Sequence, residues 1–486
     1  MDTNLKSDDT WLFGHPKGLK TLFFTEMWER MSYYGMRALL VLYLTLSIQD
    51  GGIGIEDAAI ATAIYGLYTG FVYLMGLPGG WMADRLIGGQ KAIWYGGIVI
   101  MCGHISLAVP SDESFFLGLV LLVLGTGMLK PNITAAVGQL YNNDDPRIEA
   151  GYALYYMGIN IGSVIGYTVC GYFYQDEAFG PHWAFGAAAV GMFFGLLQFR
   201  MTKDSLKGVA SEPIAPLSQE GAKKAWMAIW AFLALVAIIF VSAMTGALVL
   251  NPKPIAEWSA IIFTVLFFVY FAKVFFLGKL NGDEKRKMLA LLLVCIGSAC
   301  FWAGFEQAGS SLNLFANEIV DRTVGTFTIP TAWFQSANPF FIIVLSPFMA
   351  AFWIKLGQRM VSPAFGIKAA VGILIMASGF IVMFYAAQKA AAGLPVAATW
   401  LIATYFLHTV GELCLSPVAL AAVSKLSPKR FAGQMMGVFV LTYSIGNIIA
   451  GLIAGGYDAN DLSTIPPMFL NIALISIGFA LVILAA

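Results

Sequence analysis

Charge is what this sequence has least of. Only 12% of its 486 residues are Asp, Glu, Lys or Arg, about half the share of an ordinary soluble domain. A chain so poor in charge cannot present a water-facing surface everywhere, and a mean hydropathy of +0.76 makes lipid the solvent for most of it. The 28 bases equal the 28 acids, so there is no positive excess for nucleic acid. Cysteine is also scarce. Cys102, Cys170, Cys295, Cys300 and Cys414 all fall inside apolar runs and none forms a C-x-x-C pair, the pattern of small packing residues. His15, His104, His182 and His408 lack metal-ligand spacing, and no G-x-S-x-G elbow is present. The opening MDTNLKSDDTWLFGHPKG is polar and has no short apolar core with a cleavage site, so it is not read as a signal peptide.

Apolar stretches of membrane length are what the chain does have. Fourteen of them fall near 19–47, 57–83, 90–109, 115–140, 149–174, 182–201, 224–249, 255–278, 288–317, 331–356, 364–387, 396–424, 430–457 and 466–486, each near the ~20 residues a bilayer core needs. With a cytoplasmic N-terminus, 22 of the 28 bases lie inside, from Lys6 and Lys17 to Lys429 and Arg430. Only Lys253, Arg322 and Lys389 lie outside, while Arg30, Arg37 and Lys130 fall within the membrane. That bias predicts cytoplasmic termini at both ends. The segment 202–222, with Pro213, Pro216 and several Ser and Gly, reads as a linker. The expected organisation is a six-helix bundle over 1–201, a cytoplasmic linker over 202–222, two additional helices over 223–286 and a second six-helix bundle over 287–486. Two six-span halves are the architecture of the major facilitator class. Gly79 to Gly89, with Asp84-Arg85 at its centre and Lys91 beyond, resembles the loop signature of that class.

The few intramembrane charges are concentrated. Glu26, Glu29, Arg30, Tyr33, Tyr34 and Arg37 follow i, i+3, i+4, i+7, i+8 and i+11 in the first span, which places them on one helical face. A charge at the bilayer centre costs about 2.5–3.5 kcal/mol on insertion scales, so four of them point to a polar pathway. Glu26 can pair with Arg30 at i+4, which leaves Glu29 and Arg37 needing partners. Depth counting offers candidates. Glu306 lies 19 residues beyond Lys287 and Arg37 17 beyond Lys20, roughly 28 and 26 Å at 1.5 Å per residue, so the two can form an outer gate pair. Lys130 lies 15 residues beyond Phe115 and Glu412 16 beyond Val396, roughly 23 and 24 Å deep, a candidate inner pair. The buried acids Glu26, Glu29, Glu306 and Glu412 outnumber the bases Arg30, Arg37 and Lys130 by one. One proton would balance the set, as a proton-coupled carrier requires.

These residues also carry a family resemblance. Glu26-Met27-Trp28-Glu29-Arg30 with Tyr33-Tyr34-Gly35 resembles the E-x-x-E-R…Y-Y-G signature of the proton-dependent oligopeptide transporters. Gly125 to Asn132, Tyr155 to Ser163, Trp333 to Pro339 and Gly411-Glu412…Ser416-Pro417 resemble further signatures in the same order. The resemblance covers essentially the whole chain and is of the bacterial type, with two extra central helices. It implies an all-α integral membrane protein of the major facilitator fold with fourteen spans. The implied activity is proton-driven symport of di- and tripeptides, and of peptide-like drugs, by alternating access, not an enzymatic reaction. It further implies a monomer in the bacterial inner membrane, with no metal and no cofactor beyond the coupling proton.

By the same resemblance, Arg30, Lys130 and Tyr34 would hold a peptide carboxylate, and Asn160, Asn338 and Glu412 its amino group. Tyr73, Trp302 and Phe439 would wall the side-chain pockets. Glu26, Glu29, Arg30 and Glu306 would couple the proton, and Arg37–Glu306 and Lys130–Glu412 would act as gates. Phe439 departs from the Trp common in the family, and Gly66 stands where animal members have a His. Glu318, Asp321 and Arg322 read either as a further gate contact or as a solvated loop. A facilitator for nitrate or a drug, a membrane-embedded enzyme and a channel are the competing classes.

Overall fold

A backbone crossing lipid must satisfy its own hydrogen bonds, which leaves helices as the solution for runs this long. The computed structural model, which describes residues 10–142, 144–359 and 365–485, is correspondingly helical. The N-terminal MDTNLKSDD with Lys6, and the side chains of Arg359 and Pro417, lie outside the described residues. The helices are α1 Lys17–Thr45, α2 Ala58–Met82, α3 Gly89–Leu107, α4 Asp112–Gln139, α5 Ile148–Gln175, α6 Pro181–Thr202, α7 Gln219–Met244 and α8 Pro252–Ala272, then α9 Gly282–Phe305, α10 Ser311–Glu318, α11 Ala337–Arg359, α12 Phe365–Ala391, α13 Thr399–Leu426, α14 Ala432–Ala454 and α15 Ile465–Ala485. Among the described residues twelve helical stretches are long and apolar enough to cross a membrane, α10 continuing α9 in one of them. The other two spans are α1, of 29 residues and interrupted by its charges, and α3, of 19 residues and carrying Gln90, Lys91 and His104. The fourteen apolar stretches of the sequence are thus fourteen helical spans.

The chain packs as two compact units, one of Met1–Met36 with Leu74–Asn251 and the other of Arg37–Tyr73 with Pro252–Ala486. The division falls within α1 and α2.

In the first unit, glycines bring backbones together, as they do between membrane helices generally. Gly158, Gly162 and Gly166 repeat every fourth residue along α5, and a Cβ at any of them would meet Phe23, Met27 or Met31 of α1. The α1 backbone is therefore seated directly on α5. Gly79 of α2 is pressed in the same way against Gly127 of α4, and Asn132 Nδ2 donates to the Gly79 carbonyl at 3.3 Å. Pro131 lies inside α4 and removes a backbone donor there. This contact fixes the stretch of α4 that carries Lys130. The N-terminal segment is tied to the end of α4: His15 Nδ1 and the Tyr141 hydroxyl are 2.8 Å apart, and Arg147 donates to the Gly14 carbonyl at 2.7 Å. Hydrogen bonds from Arg147 hold the Asp145 carboxyl down at about 2, while burial lowers His15 and pushes Tyr141 up to about 12.

The segment after α6, expected as a polar linker, is laid against the α2–α3 turn by backbone bonds. Gln90 N donates to Ala210 O at 2.8 Å, Ala215 N to Asp84 O at 3.0 Å and Leu217 N to Arg85 O at 3.2 Å. No residue of α7 is buried, as for a helix surrounded by lipid.

In the second unit, α9 opens with a capping box in which Asn281 Oδ1 accepts from Glu284 N at 2.8 Å and Asn281 N donates to Glu284 Oε2 at 3.0 Å. The α-helix ends at Phe305, a 3-10 turn covers Glu306–Gly309, and α10 follows. A second 3-10 turn, Thr331–Ser336, leads into α11. A Cβ at Gly372 of α12 would stand 2.7 Å from the Gly411 carbonyl of α13, so these helices cross tightly beside Glu412. Short strands join loops: Val320–Asp321 pairs in parallel with Val396–Ala397, and Thr323–Val324 antiparallel with Phe327–Thr328.

Candidate functional site

The first unit brings four predicted charges into one cluster, three of them buried and the fourth, Lys130, with its side chain 31% exposed. Glu26 and Glu29 are fully buried and Arg30 nearly so. Arg30 makes a bidentate bond to Glu29 through Nε and Nη2, and its Nε lies 3.5 Å from Glu26 Oε1. Lys130 Nζ also donates to Glu26 Oε1. Glu29, left without a partner by helical spacing, is thus taken by its chain neighbour, because the long guanidinium folds back along the helix. The Glu26–Lys130 contact joins α1 to α4 and differs from the Lys130–Glu412 pair expected from depth. Depth counting gives the layer a residue occupies but not its azimuth, and it pointed Lys130 only at Glu412.

The cluster contains two acids and two bases, so it is neutral with all four charged. Such a set tolerates burial only while every member keeps an opposite charge. Aromatic rings line it. Arg30 Cζ stands 4.4 Å from the Tyr33 ring centroid and 5.6 Å from that of Tyr34, and Lys130 Nζ lies 5.7 Å from Tyr155, distances at which a ring face attracts a cation. Tyr34 also meets Tyr167, with centroids 5.7 Å apart. Asn160, from the same predicted set, turns its amide nitrogen to the Tyr156 carbonyl of its own helix at 2.9 Å.

The second unit holds the rest. Arg37 Nη1 lies 3.2 Å from Glu306 Oε2 and 3.4 Å from Oε1, with both side chains buried. The two residues matched by depth are therefore an ion pair. Glu306 sits where α9 gives way to the 3-10 turn, so its carboxylate emerges at a break in the helix. Tyr65 adds a bond that charge patterning could not reveal, its hydroxyl donating to Glu306 Oε2 at 3.2 Å. Asn313 Nδ2 fastens the same stretch of α1 by donating to the Ala38 carbonyl at 2.7 Å. Elsewhere in the unit Asn338 Nδ2 donates to Glu412 Oε2 and to Thr409 Oγ1, each at 3.0 Å.

The predicted pocket aromatics converge on a residue the sequence did not single out, Tyr443. It stacks on Tyr73 with centroids 5.3 Å apart and planes at 18°. Trp302 and Phe439 approach it at 5.0 and 5.3 Å. Tyr443 lies one helical turn beyond Phe439, so α14 presents both to one side. The Trp302 Nε1 donor finds no hydrogen-bond partner among the described residues, which suits a wall facing a polar guest.

The sequence model of the POT family (PTR2) matches residues 90–468. The chain belongs to the POT family. It is similar to the peptide transporter YePEPT of Yersinia enterocolitica subsp. palearctica serotype O:3 (strain YE-P4), with 40% identity covering 97% of this chain and 94% of that protein. The di-/tripeptide transporter of Lactococcus lactis subsp. cremoris is 34% identical over 94% of this chain and 92% of its own length. Among solved structures, the peptide transporter POT in complex with sulfate superposes with a TM-score of 0.90 at 36% identity, covering 98% of this chain and 95% of that one. A POT family transporter in complex with 5-aminolevulinic acid gives 0.89 at 32%, covering 98% and 97%.

As a POT family member the chain is a multi-pass membrane transporter of the major facilitator fold and not an enzyme. Two departures from the family pattern now have surroundings. A Cβ at Gly66 would stand 3.0 Å from the Gly451 Cα, so α2 and α14 touch by backbone at this position. Phe439 is fully buried, leaving no slack for an indole without rearrangement. At the end of α10, Glu318 accepts from the distant Tyr457 Oη at 2.8 Å, while Asp321 accepts from Thr323 N at 3.0 Å and Arg322 donates to the Ile329 carbonyl at 2.9 Å.

Proposed function

We propose that this POT family transporter imports di- and tripeptides, and peptide-like drugs, by proton-coupled symport with alternating access, as a monomer in the bacterial inner membrane with both termini cytoplasmic. The observation that carries the reading is the four-charge cluster. A zwitterionic peptide brings a carboxylate, and the cations suited to it, Arg30 and Lys130, are held by Glu29 and Glu26. A peptide carboxylate entering a neutral buried set adds one uncompensated negative charge. A proton on Glu26 or Glu29 removes that charge and frees a cation to bind the peptide. Proton and peptide binding then favour each other by linkage, and the coupling is reciprocal. Tyr34 would support the carboxylate, Asn160, Asn338 and Glu412 the amino group, and Tyr73, Trp302, Phe439 and Tyr443 the side chains.

The gating follows from the same charges. In this reading Arg37–Glu306 latches the outer side, and Glu306 can accept a proton when the latch opens. Lys130 and Glu412 would pair when the site is empty and turn to the two peptide ends when it is full. No other chemical species is required, the proton being the coupling ion. The relatives named as peptide transporters support the substrate class, and the bias of bases to one side supports the orientation.

The test is uptake of labelled dialanine by proteoliposomes carrying the purified protein. Accumulation under an inside-alkaline, inside-negative gradient that collapses with uncoupler is the expected result. Protein that is folded and binds dialanine but fails to accumulate it would refute proton-driven import.

A further inference from the structure

A second polar site lies away from this machinery, where α3 begins and α6 ends. The two helices pack there through Trp94 and Phe199, whose rings stack at 6.4 Å with planes 24° apart. Between them and the segment after α6 is a cavity of about 440 Å³. Lys91, Arg200 and Lys203 line it together with Trp94 and Tyr95, and Glu212 is the one acid on its wall. Among the described residues none of the three bases forms an ion pair. The wall contributed by the segment after α6 is held in place, since Gln90 N donates to Ala210 O at 2.8 Å and Gln90 Nε2 to Val209 O at 2.7 Å.

The surroundings tell what the cavity would hold. From Arg200, the residues Leu197, Phe193 and Val190 recede along α6 at i−3, i−7 and i−10, a spacing that puts them on one helical face. They are 43%, 50% and 53% exposed. Tyr95 lies one turn beyond Lys91 and is 52% exposed. Three cations thus sit at the ends of two membrane helices, among rings of the kind that lie at headgroup level, and an open apolar stripe runs from them into the bilayer. A free inorganic anion would use the cations and leave the stripe idle. A lipid with a phosphate and acyl chains uses both.

We propose that this cavity binds the headgroup phosphate of an anionic phospholipid, whose acyl chains lie along Leu197, Phe193 and Val190. Basic pockets between membrane helices recognise anionic headgroups in this manner. The lipid would bridge α3, α6 and the segment after α6, and Glu212 would weaken its binding by repulsion.

Native mass spectrometry of the full-length detergent-purified protein tests this. Dioleoylphosphatidylglycerol and dioleoylphosphatidylcholine are titrated in parallel, with inorganic phosphate as competitor. Phosphatidylglycerol should bind in preference and resist phosphate. The variant Lys91→Gln/Arg200→Gln/Lys203→Gln should weaken it about tenfold or more, three surface bases each being worth roughly a severalfold factor. The control Lys223→Gln/Lys224→Gln/Lys287→Gln removes the same charge elsewhere and should retain it. Glu212→Gln should strengthen binding, a gain that a damaged fold cannot mimic. Equal binding of the two lipids, unchanged binding in both the triple variant and Glu212→Gln, or full displacement by phosphate would overturn the proposal.

Discussion

The charges of α1 live in two different electrostatic settings. Near its start, Arg30 reaches two acids and Glu26 reaches two bases, so four side chains share partners. Two turns on, Arg37 meets Glu306 in a pair braced by the Tyr65 hydroxyl. A set with shared partners can release one base to an incoming ligand at modest cost when a proton neutralises the acid it leaves, because Glu26 still has the other base beside it. A braced pair is made or broken as a whole. The first arrangement suits binding and coupling; the second suits a latch. One helix carries both because its polar face is continuous while its neighbours change along its length.

Breaking the shared set should have the largest effect. Arg30→Ala leaves Glu26 and Glu29 with Lys130 alone, and stripping one partner from a buried charge costs about 3–5 kcal/mol. Dialanine uptake should fall at least about a hundredfold. Arg30→Lys should recover only part of this, since an ammonium cannot form the two-pronged bond to Glu29. Uptake assays on both variants, at matched protein per liposome, check the order.

The latch comes next. Arg37→Ala and Glu306→Ala should each lower driven uptake about tenfold, the scale of losing a charge-assisted bond. The exchange Arg37→Glu/Glu306→Arg should restore part of it. A double variant no better than either single would count against a dedicated pair. Tyr65→Phe removes one hydrogen bond to Glu306, worth about 1 kcal/mol, and should lower uptake about threefold to fivefold. If Tyr65→Phe matched Arg30→Ala in severity, the contrast between shared set and braced pair would fail.

The smallest effect belongs to specificity. Phe439→Ala opens space beside Tyr443 and should shift competition toward dipeptides with bulky side chains, by about twofold to fivefold. Competition of labelled dialanine by a series of dipeptides measures the shift.

How far the sequence reaches is clear from the same residues. The spans were legible because lipid demands long apolar helices, and the special status of α1 because charges in lipid are expensive. Depth along an axis was also legible, and it joined Arg37 to Glu306. What depth cannot supply is rotation about the axis, so Glu26–Lys130 was invisible although both residues had been singled out. Tyr65 and Tyr443 were invisible for another reason: an uncharged aromatic in an apolar span looks like packing until its hydroxyl or ring is seen against a partner. The order in the segment after α6 was hidden too, because backbone bonds to Asp84, Arg85 and Gln90 leave no trace in composition.

If a proton on the Glu26–Glu29 pair frees a cation of the shared set for the peptide carboxylate, Glu29→Gln is the most direct test. In proteoliposomes this variant keeps a neutral acceptor beside Arg30 but can no longer exchange the proton. Gradient-driven accumulation of dialanine should be abolished while gradient-free counterflow of labelled against unlabelled dialanine persists. Driven accumulation that survives in Glu29→Gln would contradict the account.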